Sequence, residues 1–180
     1  RLMYALIVIL VATMAAWLMA LILHLQPVDF LKISLPAGAW ILLRLITSFC
    51  GVFGFSIMFN SPVRLAATAA GIGAIANTLR MVDMTAIPPA GAAFVGALTA
   101  GILASLIKSK VGYPRISLTV PSIVIMVPGM YLYRGFYNLG IMSLGPAASW
   151  FASAILIIAA LPLGLIFARI LTDETFRYCT

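Results

Sequence analysis

Apolar runs of about 20 residues recur along the chain, and they constrain its fold more than any other feature. A helix of about 20 mostly apolar residues crosses the hydrocarbon core of a bilayer. Only 8% of the residues are charged and 64% are hydrophobic, whereas a soluble domain has roughly 25% charged residues. A soluble surface cannot be built from this composition. The sequence therefore predicts an all-α fold, a polytopic membrane helical bundle.

Six membrane spans are predicted, and the fifth is broken. Prolines, glycines and polar residues separate the apolar runs, and Asn60-Ser61-Pro62 forms a tight separator. Because Asn caps helices well and Pro suits a first helical turn, Asn60 and Pro62 are assigned to the turn and not to a ligand. The predicted spans cover residues 3–23, 37–59, 63–82, 89–107, 115–138 and 147–168.

The broken span, residues 115–138, contains Pro121, Pro128 and Gly129. Proline removes a backbone donor, and in hydrocarbon the carbonyls that it frees must find partners or line a cavity. Broken helices of this kind mark substrate sites in transporters. The alternative is a proline-kinked packing helix. The polar residues around the break are Thr119, Ser122, Tyr131 and Arg134.

Arginines at membrane depth are the second candidate for a site. Such groups are costly to insert and usually mark function. Arg80 and Arg134 are the candidates to hold a carboxylate, and Arg44 also lies within a predicted span. An interfacial pair of Arg80 with Asp83 is the alternative for that arginine. The chain has four carboxylates and one histidine, so an anionic substrate fits it better than a proton pump.

Two stripes of small residues recur at a spacing of four. Small residues let helices approach closely in lipid, so both stripes predict helix packing. The first is Ala66, Ala70, Ala74 and Thr78, and the second is Ala93, Ala97, Gly101 and Ser105.

The distribution of Lys and Arg predicts the orientation in the membrane. Six spans place both termini on one side, and that side has seven basic residues near span ends against three on the other. The positive-inside rule then places both termini in the cytoplasm. If the fifth stretch is re-entrant, this parity fails. The first side has Arg1, Arg64, Lys108, Lys110, Arg115, Arg169 and Arg177, and the other has Lys32, Arg80 and Arg134.

Several functions are excluded or disfavoured by what the sequence lacks. It has no nucleophile elbow, zinc-protease motif or phosphate-binding loop, so we expect neither an enzyme nor a cofactor. The net charge of +7 comes from scattered cations, without the basic stripe of a nucleic-acid-binding protein. Cys50 and Cys179 suggest neither a disulfide framework nor a metal site.

Two stretches resemble the threonine/serine exporter family. The first is Gly54-Phe55-Ser56-Ile57-Met58-Phe59-Asn60-Ser61-Pro62-Val63-Arg64, continuing to Asn77-Thr78-Leu79-Arg80-Met81. The second is Val127-Pro128-Gly129, which is similar to the family's Pro-Gly phrase. The resemblance covers about residues 37–169. It is to the short membrane subunit that works with a larger companion in a two-gene succinate exporter.

This resemblance implies an exporter-family membrane domain over residues 37–180, preceded by an additional span and loop over residues 1–36. It implies a multi-pass protein of the cytoplasmic membrane of a prokaryote. The expected partners are membrane lipid, a larger companion subunit, a small anionic or zwitterionic substrate and further copies in an oligomer. The expected substrate-binding residues are Thr119, Ser122, Pro128, Gly129, Tyr131, Arg134, Arg80 and Asn77.

The resulting hypothesis is a membrane subunit of a secondary exporter for small carboxylates or amino acids, namely succinate or threonine and serine. Alternating access around the broken helix would move the substrate. Two alternatives remain open. One is a scaffold subunit that binds no substrate, and the other is an ion-conducting pore with the broken helix as a re-entrant filter.

Overall fold

The computed structural model describes residues 2–24 and 36–173, and these residues are all-α. No strand occurs within the described ranges, which confirms the prediction of a helical bundle. The helices are α1 (Leu2–Ile22), α2 (Ala37–Met58), α3 (Val63–Asp83), α4 (Pro89–Val111), α5 (Arg115–Val124), α6 (Gly129–Gly140) and α7 (Leu144–Thr172).

Prolines set the starts of five consecutive helices, α2 to α6. Each of these helices has a proline at its N-cap, and none has a side-chain cap. Proline has no N–H to leave unsatisfied at a helix start, so it begins a helix without needing a partner. Asn60 adopts a left-handed φ of 56° in the turn before α3. The capping prolines are Pro36, Pro62, Pro88, Pro114 and Pro128.

Four helices in the described ranges are long and apolar enough to cross a membrane: α2, α3, α4 and α7. The pair α5 and α6 forms a fifth span if it is counted as one broken span. The predicted first span is helical, as α1. The apolar segment identified within it is Leu10–Ile22, which is shorter than a full membrane span. The described residues thus support five spans, and the sixth remains a prediction.

The described residues divide into two compact units. One contains α1, α6 and α7 as far as Leu156, and the other contains α2 to α5 and α7 from Ile157. This division differs from the boundary at residue 36 expected from the resemblance, which stays a prediction.

In the unit of α2 to α5, α3 is the central helix and packs against α2, α4 and α5. All four residues of the first predicted stripe are buried, and so are three of the second. Because alanine and glycine project so little, neighbouring backbones approach closely. At Gly164 of α7, an added Cβ would lie 2.6 Å from the backbone oxygen of Phe94 on α4. The small residues therefore pack helices together within this chain.

In the unit of α1 and α6, aromatic rings pack against glycines. The rings of Phe136 and Phe151 meet edge to face with centroids 5.0 Å apart, and Phe151 also covers Gly135. Trp17 of α1 covers Gly140 of α6 in the same way. Aromatic contact thus holds α6 to its neighbours.

We predict that Gly73→Ala destabilises the packing around α3. The added Cβ would lie 2.7 Å from Val52 Cγ2 and 3.0 Å from the backbone oxygen of Ser122. Overpacking of this kind costs about 1–3 kcal/mol. The free energy of unfolding in mixed detergent micelles measures the effect.

Gly71→Ala is the matched control, because among the described residues nothing lies within 4 Å of a Cβ added there. That change should stabilise α3 by up to about 1 kcal/mol through helix propensity. Equal effects of the two substitutions would contradict the close packing at Gly73.

Candidate functional site

The broken helix is interrupted at Pro128, and Pro121 lies inside α5. Residues 125–128 separate α5 from α6. The N–H groups of Met126 and Val127 donate to the carbonyls of Ile123 and Val124, at 2.9 and 3.2 Å. These bonds to the third residue back tighten the end of α5. The break therefore begins after Val124, and Gly129 opens the next helix.

A buried polar cluster joins α2 to α3 in the unit of α2 to α5. Asn77 Nδ2 donates a hydrogen bond to Ser48 Oγ at 2.8 Å, and Arg80 Nη1 donates to Asn77 Oδ1 at 3.4 Å. Ser48 and Asn77 are each 2% exposed and Arg80 is 7% exposed. The amide oxygen of Asn77 thus orients the Arg80 guanidinium, and the amide nitrogen of Asn77 bonds Ser48 on α2.

Arg80 also lies against α4 and the start of the break. A Cβ added at Gly96 of α4 would lie 3.0 Å from Arg80 Cβ and 3.1 Å from Met126 Sδ. An alanine here would require one of these side chains to move by a few tenths of an ångström. Met126 is fully buried and lies in the break, two residues after the end of α5. The structure therefore places a buried cation beside the beginning of the broken segment.

The hydroxyls of Ser48 and Thr78 are further buried polar groups on α2 and α3. Thr78, the residue after Asn77, is 7% exposed, and its Oγ1 has no hydrogen-bond partner among the described residues. Buried hydroxyls are rarely left without a partner. Ser48 and Thr78 were not among the predicted site residues. The signal for Ser48 is a polar residue deep in an apolar run, whereas Thr78 was assigned to a packing stripe.

Ser122 and Thr119 lie on α5, and their hydroxyls contact backbone carbonyls. Ser122 Oγ is 2.6 Å from the oxygen of Leu118 and 2.9 Å from that of Ala69 on α3. Thr119 Oγ1 is 3.2 Å from the oxygen of Arg115 in its own helix. Ser122 therefore ties α5 to α3, and Thr119 caps a carbonyl in the first turn of α5.

Tyr131 and Arg134 meet on Trp150 in the unit of α1 and α6. The Tyr131 ring lies edge to face with the Trp150 ring at a centroid distance of 5.5 Å, and Arg134 Cζ lies 4.9 Å from the Trp150 ring centroid. A guanidinium over an indole face is a favourable cation–π pair. Pro128 is buried at the start of α6, and Gly129 is exposed. Trp150 is the residue of this group that the sequence did not assign to the site.

Arg44 belongs to α2, and its guanidinium lies near the carboxyl end of α3. Its Nη1 donates to the backbone oxygen of Met81 at 3.4 Å, and its guanidinium lies 5.3 Å from the Trp40 ring centroid. A cation at a helix carboxyl terminus is favoured by the helix dipole. Arg44 thus has a structural explanation at the protein surface, whereas Arg80 is the more deeply buried of the two.

The structure divides the predicted site residues into three groups. Asn77 and Arg80 form the cluster with Ser48, which we call the Arg80 cluster. The second group is Thr119 and Ser122 on α5, and the third is Pro128, Gly129, Tyr131 and Arg134 in the other unit.

Comparison of the sequence with known protein families gives a match. The family model described as Threonine/Serine exporter, ThrE, matches residues 44–171. This range is most of the chain and contains the Arg80 cluster, the break and Trp150. Neither the curated proteins nor the solved structures give a significant match.

We predict that Ser48→Ala destabilises the protein more than Ser56→Ala does. Both serines are buried on α2. Among the described residues, however, Ser56 Oγ bonds only the Val52 carbonyl of its own helix, at 2.9 Å. Losing the bond between Ser48 and Asn77 removes a link between helices, worth about 1 kcal/mol in a membrane protein. Unfolding in mixed micelles measures the difference, and equal losses would show that this bond contributes nothing.

Proposed function

The chain belongs to the threonine/serine exporter family, and from this membership we propose that it is the membrane subunit of a secondary exporter for small carboxylates or amino acids. Succinate, threonine and serine are the candidate substrates. Membrane transport is the role of this family, and the apolar helices make the chain a multi-pass membrane protein. A larger companion subunit completes the proposed transporter.

The observation that carries this proposal is the burial of Arg80 beside the break. A guanidinium binds carboxylates through charge-assisted hydrogen bonds, which strengthen where water is excluded. The amide oxygen of Asn77 orients Arg80 at 3.4 Å without cancelling its positive charge. A substrate carboxylate would bind Arg80, and the hydroxyls of Ser48 and Thr78 would accept or donate further hydrogen bonds.

The break gives this site a means of opening. Met126 packs beside Arg80 at the end of α5, so movement of residues 125–128 would change access to the cation. Pro128 and Gly129 would absorb that movement, since neither continues the α5 helix. In the proposed mechanism, Ser122 and Thr119 hold α5 in place. Tyr131 and Arg134, which contact Trp150 in the other unit, are further candidates to bind substrate.

The proposal also covers the orientation in the membrane and the partner subunit. The cations near span ends favour both termini on the cytoplasmic side of a prokaryotic cytoplasmic membrane. A related subunit would provide the surfaces that complete the substrate path, as repeated halves do in secondary transporters. A role as scaffold alone is less favoured, because the small-residue stripes pack helices within the chain and are not exposed for a partner.

We predict that Arg80→Gln reduces counterflow of the transported carboxylate by about 10- to 100-fold, since hydrogen bonds to charged groups contribute about 1.5–3 kcal/mol. The assay uses vesicles that contain this chain and its companion, with labelled succinate, threonine and serine. Arg80→Lys keeps the charge but loses the planar fork, and should retain part of the rate. Arg64→Gln, at an exposed position, is the control for loss of one cation.

Wild-type rates with Arg80→Gln would remove Arg80 from the site. Transport of none of the three compounds would contradict the substrate class, and full transport by the companion alone would favour a scaffold. Ohmic currents across a planar bilayer would instead support a pore.

A further inference from the structure

A second cationic site lies where α4 ends, α5 begins and α7 ends. An open cleft of about 380 Å³ lies there within one unit of the structure. Its charged lining residues are Lys108, Arg115, Arg169 and Asp173. Among the described residues, three cations and one carboxylate line this cleft, so their net charge is positive. The Arg80 cluster does not use any of these residues, so the cleft needs an explanation of its own.

Arg115 is held in place at the base of this cleft. Its Nη1 donates to Thr172 Oγ1 at 3.4 Å and its Nη2 donates to the Leu165 carbonyl at 3.5 Å. Thr172 in turn donates toward Ser105 Oγ at 3.0 Å or the Ala168 carbonyl at 2.7 Å. A guanidinium has five N–H donors. Neutral oxygens from α7 therefore orient Arg115 through two of its donors.

Asp173 balances only part of the charge. Its Oδ2 lies 3.7 Å from Arg169 Nε, one helical turn away, and the Arg169 side chain is 53% exposed. An exposed pair at this distance contributes little. Arg169 therefore loses little from this pair if it turns toward an anion in the cleft.

The walls of the cleft are apolar and open. Ile116, Leu165 and Ile166 line it, and the first and last of these are exposed on the outer surface of the helices. A small free dicarboxylate would leave these walls in contact with water. An amphiphile would cover them with an acyl chain while its anionic group reaches the cations.

We propose that this cleft binds the phosphate of an anionic phospholipid, with an acyl chain along Ile116 and Ile166. Lys108, Arg115 and Arg169 bind the phosphate oxygens. Basic pockets between membrane helices near the cytoplasmic surface bind anionic headgroups through this chemistry. The bound lipid joins the ends of α4, α5 and α7, and so it fixes the start of the helix that leads to the break.

The test is native mass spectrometry of the full chain in mild detergent, titrated with phosphatidylglycerol or with phosphatidylcholine. The wild-type chain should retain phosphatidylglycerol preferentially. Lys108→Gln combined with Arg169→Gln should weaken that binding by roughly 30-fold, because each cation near a lipid headgroup contributes about fivefold. Lys110→Gln is the matched control, since Lys110 lies on the same last turn of α4 but does not line the cleft. It should change binding less than twofold.

Asp173→Asn provides a change of opposite sign that keeps all three cations. It should tighten phosphatidylglycerol binding by about fivefold, the contribution of one charge, which a merely structural loss would not do. Equal retention of the two lipids, or equal weakening by Lys110→Gln and the double substitution, would overturn the proposal. Displacement of the lipid by millimolar inorganic phosphate would also overturn it, because the cleft would then be a soluble-anion site.

Discussion

Close approach of helices to α3 is the constraint on which the rest of the structure depends. In lipid, helices gain little from burying apolar side chains, so packing of small residues holds them together. Gly73 admits Val52 and the Ser122 backbone, and Gly96 admits Arg80 and Met126. These contacts surround α3 on three sides and remove one of its own arginines from the lipid. The packing itself thus buries the cation that is proposed to bind the substrate.

Three arginines illustrate how the chain keeps positive charge near or within the membrane. An amide oxygen orients Arg80, an indole face lies under Arg134, and a carbonyl with a hydroxyl holds Arg115. Each of these groups is neutral, so each orients a guanidinium and preserves its charge. The arrangement suits recognition of anions in two proposed places, a carboxylate at Arg80 and a lipid phosphate at Arg115. Both places adjoin α5, one at each end, because Arg115 begins that helix and Met126 follows it.

Local sequence rules were sufficient to predict the helices but not the composition of the site. Five prolines begin helices, and apolar runs of span length needed no tertiary information. The Pro128-Gly129 pair was expected to mark the break more than Pro121, and Pro128 does precede α6 directly while Pro121 lies inside α5. The bond of Asn77 to Ser48 joins residues 29 apart, and no periodic pattern signals such a pair. Thr119 and Ser122 are close in sequence, but Thr119 lines the basic cleft whereas Ser122 contacts α3.

The central claim is that Arg80 binds the substrate carboxylate, and a cycle of binding measurements tests it most directly. Equilibrium affinities of succinate and of its diamide, succinamide, which has no carboxylate, would be measured for the wild-type transporter and for Arg80→Gln. If Arg80 contacts the carboxylate, the wild type should prefer succinate by about 10-fold or more, the effect of about 1.5 kcal/mol for a charged hydrogen bond. The substitution should abolish that preference. The same preference in both proteins would contradict the claim, because the lost charge would then not contact the carboxylate.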